Sequence, residues 1–252
     1  MWMEHIIIVG DIFKGFSEAH NAVLTRSEFY QKLLQESEPE FTVKLTLGQG
    51  VQQSDVENIL ASTGAGTYLF ELMPKSQFPK ALMGNTHKHR SQNVLVSTAR
   101  RLSDQEFELD MLLDPANEFL SDHMSGYHVQ GMALLEASRQ AFLSITEQFF
   151  LKDVNFDHLY FVINSMAIDY KQFLFPVETN IHYKIKESRS SNNRIYFDVT
   201  ITLNQLDKAC ATTDVTFTVF DQKVLNQKER RAAAAVVDQA LQVHSPMFDS
   251  AA

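Results

Sequence analysis

One cysteine, six prolines, nine glycines and a single tryptophan among 252 residues exclude several kinds of protein at once. A lone Cys210 cannot form an intrachain disulfide, which suits a reducing compartment. So little Gly and Pro leaves no room for a collagen-like or low-complexity chain. Neither GxGxxG nor a Walker pattern occurs, and no HExxH or paired cysteines mark a zinc site. Basic residues are outnumbered, 22 Lys and Arg against 31 Asp and Glu for a net charge of −9, which argues against a nucleic-acid surface. No apolar run approaches the length of a membrane span. The short run at 6–9 lacks the basic flank and cleavage site of a signal peptide. These absences lead us to expect a cytoplasmic protein with no membrane span and no nucleic-acid partner.

What is present is a core-forming composition, 44% hydrophobic with 19 Phe, in a chain long enough for one domain plus a smaller module. Residues 1–75 read as a small α/β module. A buried strand at 6–9 precedes a helix capped by Thr25 or Ser27 and running to 35. A strand at 41–47, a helix from Ser54 to 62 and a strand at 67–72 follow. The Gly10-Asp11 turn invites a nucleotide reading, but without a phosphate motif a structural appendage or dimerisation element is favoured. A polar linker at 76–92 leads to strands at 94–98 and 106–113 and a loop at 114–127. A long helix at 131–151 then precedes four strands at 159–169, 179–186, 193–203 and 208–220. The expected class is α+β, with an antiparallel sheet curled around one buried helix over residues 80–221. The tail, 222–252, starts with a solvated KERR stretch and an Ala-rich helix to 241, then frays.

The segment 128–140, HVQGMALLEASRQ, carries the strongest chemical signal. Glu136, Arg139 and Gln140 share one face of a helix that is otherwise apolar on nearly all sides. A carboxylate and a guanidinium buried there are costly unless paired or used. Desolvation is expected to push the Glu136 carboxyl upward, suiting a general acid or base; the alternative is a structural ion pair with Arg139. His123 and His128 flank the loop before the helix as candidate proton shuttles. His87, His89, Asp122, His123 and His128 are close in sequence but lack metal-ligand spacing, so no metal is expected. Lys88, Arg90, Arg100 and Arg101 are candidate phosphate contacts, or ordinary solvated charges. Cys210 reads as buried filler.

Two blocks carry a resemblance: His87-Lys88 followed seven residues after His87 by Val94-Leu95-Val96, and Asp122-His123 followed by His128 to Gln140. Together they are similar to the HK…VLL and DH…HVPGMxLLEAxRQ blocks of the A-factor biosynthesis hotdog family (AfsA-like). The chain departs from the family in showing one hotdog repeat, and in having Gln130 where Pro is usual. A looser likeness exists to 3-hydroxyacyl-carrier-protein dehydratases, but Asp122 stands where their catalytic His would fall. The resemblance implies a hotdog fold, a homodimer and an acyl thioester of coenzyme A or acyl carrier protein. Coenzyme A or phosphopantetheine is then part of the substrate, with no bound cofactor. The family reaction transfers a β-ketoacyl group to dihydroxyacetone phosphate, toward γ-butyrolactone-type signals in secondary metabolism. Glu136 would be the base, with Arg139, His123 and His128 as its catalytic partners. The Gly131 amide region would hold the oxyanion, with Arg139 or Lys88 as the phosphate partner. Met132, Gln140, His87 and Asp122 join Gly131 and Lys88 as expected substrate contacts. The alternatives are a thioesterase or dehydratase using Glu136 with His123 or His128, and a non-catalytic acyl-binding or scaffold module.

Overall fold

Two separate hydrogen-bonded sheets organise the chain. The computed structural model describes residues 5–35, 42–64, 70–73, 76, 78–122, 126–151, 159–191 and 193–243, and at 121, 122, 224, 242 and 243 the backbone alone. The first sheet is wholly parallel, in the order β2 (Val23–Thr25), β1 (His5–Val9), β3 (Val43–Leu47), β4 (Phe70–Met73). Its crossovers contain α1 (Lys14–Glu18), α2 (Arg26–Gln35) and α3 (Gln53–Thr63). Thr25 caps α2 reciprocally, its hydroxyl accepting from Glu28 N–H at 3.2 Å while Glu28 accepts from Thr25 N–H at 2.8 Å. At α3 the expected Ser54 cap gives way to Gln52, which forms a capping box with Asp55.

The second sheet is wholly antiparallel and follows the order β5 (Arg100–Arg101), β6 (Glu106–Asp110), β8 (Asn180–Ser191), β9 (Arg194–Gln205), β10 (Lys208–Asp221), β7 (Leu159–Tyr170). The strand expected at 94–98 is not formed. That segment makes isolated bridges, Lys80 with Ser97 and Val96 with Met111, and its Leu95 N–H donates to a helix side chain, Gln140 Oε1, at 2.8 Å. From Ile195 on, strand β9 alternates strictly between buried and half-exposed positions, the period-2 signature of a sheet with one face on a core.

That core is filled by α5 (Gly131–Phe149). Ala133, Ala137 and Ala141 are fully buried, and their small side chains let the helix lie close to the sheet. Phe142 stacks on Phe217 at 4.4 Å, and Ser138 and Thr213 pair their hydroxyls at 3.0 Å. The short α4 (Glu118–Asp122) precedes this helix. At the other end of the domain, α6 (Gln222–Val243) continues directly from β10, and its residues 226–241 are exposed. The final residues, expected to fray, lie outside the described set.

The parallel sheet docks on the antiparallel one through the ends of its strands. Val9, Phe13 and Val23 belong to the same buried cluster as α5 and the long strands. Gln49, only 1% exposed, donates to Met111 O at 2.9 Å and accepts from Leu113 N–H at 2.7 Å. Its backbone N–H donates to Pro176 O at 2.8 Å, and Gly50 N–H donates to Leu113 O at 3.1 Å. In parallel sheets, ligands usually sit beyond the carboxyl ends of the strands. Here residues 111–113 and 176 meet the chain at that edge, and Asp11 binds Arg26 and Ser27 N–H rather than facing an empty phosphate site. Gln49→Ala would leave the Leu113 N–H and the Met111 carbonyl without these partners. A loss of about 1–3 kcal/mol is expected, read as a lower urea midpoint. An unchanged midpoint would show that this amide does not hold the two sheets together.

Candidate active site at the start of the central helix

The N-terminus of α5 opens onto a groove of about 890 Å³. One wall is the helix start, residues 128–132 and 134; the other is the chain leaving β7, residues 170–174. Gln130 is extended and caps the helix with no side-chain hydrogen bond, its amide donating instead to Phe119 O. The first amides of an α-helix have no intrahelical acceptor and sit at its positive end. The walls are tied by Val129 N–H donating to Leu174 O at 2.8 Å. Tyr170 OH also donates to Gly131 O at 2.9 Å. A Cβ at Gly131 would lie 3.0 Å from the Tyr170 ring, so glycine permits the approach. Burial pushes the Tyr170 phenol up, keeping it a donor. Met132 and Phe173 are exposed at the rim, and the His128 ring lies 4.6 Å from that of Phe173.

Further along α5, Glu136 gathers three donors. Arg139 binds it in a two-pronged contact at 2.8 and 2.9 Å, Lys88 Nζ lies at 2.7 Å and Gln140 Nε2 at 3.0 Å. Burial alone raises this carboxyl, but hydrogen bonds from Arg139, Lys88 and Gln140 outweigh it and hold the group at about 2. The expected upward shift is therefore corrected: Glu136 is a carboxylate at all ordinary pH. Met132 and Glu136 are four residues apart, so the cluster lies about one turn, roughly 6 Å, beyond the groove rim on the same helical face.

The remaining candidates are dispersed. Gln140 is fully buried, and besides Glu136 it binds Leu95 N–H and Asn93 O at 2.8 Å each; it clasps the 93–95 segment and does not face the groove. His87 adopts φ 53, lies 3.3 Å from Glu147 and meets the Phe161 ring edge-on at 5.2 Å, beside a later turn of α5. Asp122 closes α4 in the backbone, while its side chain and His123 lie outside the described residues. Arg90, Arg100 and Arg101 pair with Glu118, Glu108 and Asp104 on the surface, as solvated charges do. Among the described residues no group of three or more His, Cys, Asp or Glu is placed to hold a metal. Tyr170 and Phe173 were not singled out from the sequence. Their signal was an aromatic-rich strand end, Tyr170-Lys171-Gln172-Phe173, which has no local mark of facing Gly131.

With this geometry in place the comparisons define a class. The chain matches the family described as A-factor biosynthesis hotdog domain over residues 74–221, more than half its length. The chain belongs to that family, and its larger sheet with α5 is a hotdog fold. Solved structures similar to it include a thioesterase of Pseudomonas aeruginosa at 14% identity, covering 55% of this chain and 91% of that one with a TM-score of 0.39. A thioesterase of Haemophilus influenzae matches at 12% identity, covering 58% and 94% with a TM-score of 0.39. The PaaI protein of Escherichia coli, from its phenylacetic acid degradation operon, matches at 12%, covering 48% and 80% with a TM-score of 0.33. No curated protein matches. Among the described residues no helix is long and apolar enough to cross a membrane.

The depressed Glu136 group makes stability depend on acid in a defined direction. Its folded value lies below the ordinary 4.5, so its contribution is complete above about 4.5 and is lost as the pH falls toward 2. A loss of about 1–2 kcal/mol is expected across that window after solvent screening. Thermal melts of wild type and Glu136→Gln between pH 6 and about 2 check it. Parallel melting curves would mean that Glu136 is not held as described.

Proposed function

We propose that the protein transfers an acyl group from a thioester of coenzyme A or acyl carrier protein to the hydroxyl of a phosphorylated acceptor. In the reaction its family implies, the donor is a β-ketoacyl thioester and the acceptor dihydroxyacetone phosphate. The observation that carries this reading is an apolar groove ending on the uncapped amides of a helix start. Those amides suit the oxygen of a thioester carbonyl as it gains negative charge. The acceptor oxygen attacks the carbonyl carbon, the C–S bond breaks, and the thiol leaves with the proton that the hydroxyl gave up. His128, which lines the groove, is the imidazole suited to relay that proton.

Lys88 and Arg139 share one carboxylate, leaving one positive charge in excess a turn away, which suits a phosphate. Glu136 holds these two cations in place in this reading and is not the base, since so weak a proton acceptor contributes little near neutrality. The outer edge of β7 ends the sheet beside the groove, and pairing of two such edges would make a symmetric homodimer with both grooves near its interface. Acyl binding without turnover is the second reading, favoured by the saturation of Glu136.

Mass spectrometry of β-ketoacyl thioesters incubated with the protein, with and without dihydroxyacetone phosphate, tests the reading. Thiol release and a new phosphorylated ester that both require the acceptor are expected. Release without acceptor would make the protein a thioesterase, and binding without release an acyl-binding module. His128→Ala should lower kcat by about 10²-fold or more, whereas Glu136→Gln should mainly change KM for the phosphorylated acceptor. A collapse of kcat in Glu136→Gln at constant KM would return the base role to Glu136.

A further inference from the structure

Both walls of the groove rest on one short helix of the N-terminal module. Gly15 in α1 lies under the Tyr127 ring so closely that a Cβ there would fall 2.5 Å from it. Phe16 N–H donates to Gly126 O at 3.0 Å. Tyr127 directly precedes His128, so these contacts bear on the wall that starts α5. The Phe16 ring meanwhile stacks on Phe175 at 5.6 Å and 22°, and Phe175 directly follows Leu174 of the opposite wall. A second brace lies just beyond: Gln49 N–H donates to Pro176 O at 2.8 Å, and a Cβ on Gly48 would fall 2.3 Å from that same oxygen.

We propose that α1 is a positioning element for the acyl groove, with Gly15 and Phe16 setting the spacing of its two walls through the residues that flank them, Gly126 and Tyr127 before the wall that starts at His128 and Phe175 after the wall that ends at Leu174. The inference rests on the acyl-groove reading above and assigns the N-terminal module a part in it. A wall moved by an ångström misplaces a bound carbonyl relative to the helix amides, and such displacements act on binding and orientation from outside the reacting atoms. Neither Gly15 nor Phe16 lines the groove, so their effect is indirect.

The test measures octanoyl-coenzyme A affinity by calorimetry, and KM and kcat where turnover is found, in wild type, Phe16→Ala, Phe16→Leu and Gly15→Ala. Leu34→Ala, at an exposed position of α2, is the control within the same module. Phe16→Ala and Gly15→Ala are expected to weaken binding about three- to tenfold, the scale of one aromatic contact. KM should rise with kcat nearly unchanged, and Phe16→Leu should recover most of the affinity. Equal affinity in wild type, Phe16→Ala and Gly15→Ala overturns the proposal. Hydrogen exchange provides a ligand-free readout: Phe16→Ala should speed exchange at both 126–131 and 171–175, and Leu34→Ala should not. If wild type binds no acyl thioester, the functional reading fails. Faster exchange at both walls would then still support the positioning role of α1, and unchanged exchange would overturn it. Should Phe16→Ala fail to fold, Gly15→Ala carries the same comparison.

Discussion

The polar stripe on α5 constrains where the surrounding chain can lie. A helix packed on a sheet cannot leave a buried amide or carboxylate without a partner. Gln140 satisfies both ends of its amide on residues 93 and 95 and on Glu136, which ties that segment to the helix. Glu136 then requires cations, and Lys88 reaches it from the turn just before that segment. One run of helix side chains thus anchors the chain leading into the sheet, while the helix N-terminus opens into the groove.

Binding and charge are thereby separated along a single axis. Apolar contact and uncapped amides lie at the start of α5, and the cation pair lies a turn further on. The saturation of Glu136 has a cost and a use. The carboxylate is too well solvated by protein donors to trade protons, and for the same reason it keeps two mutually repelling cations about 3 Å from a shared anion.

The parallel module is joined to this arrangement by backbone contacts more than by charge. Gly10, Gly48 and Gly50 bring strand ends so close that added Cβ atoms at the first two would fall 2.3 Å from carbonyl oxygens. Glycine at Gly10 and Gly48 is therefore explained by chain-to-chain packing, and at Gly50 by a φ of 74. A sequence containing Gly10-Asp11 after a buried strand suggests a phosphate turn, yet the edge that would bind it meets the hotdog domain instead.

From the sequence alone came the antiparallel set of long strands, the buried helix with Gly131 at its start, and the family that HVQGMALLEASRQ resembles. These follow from local rules, namely period-2 and period-3.6 patterning and residues that share a helical turn. The same rules placed Glu136, Arg139 and Gln140 on one face. They could not set the protonation of Glu136, because Lys88 lies 48 positions away in the chain and only folding brings it to 2.7 Å. Nor could they show that the Leu95 N–H turns to Gln140, that Tyr170 closes over Gly131, or that Phe16 reaches Phe175. Each of these is a contact between distant segments, decided by how the sheet wraps the helix and where the parallel module docks.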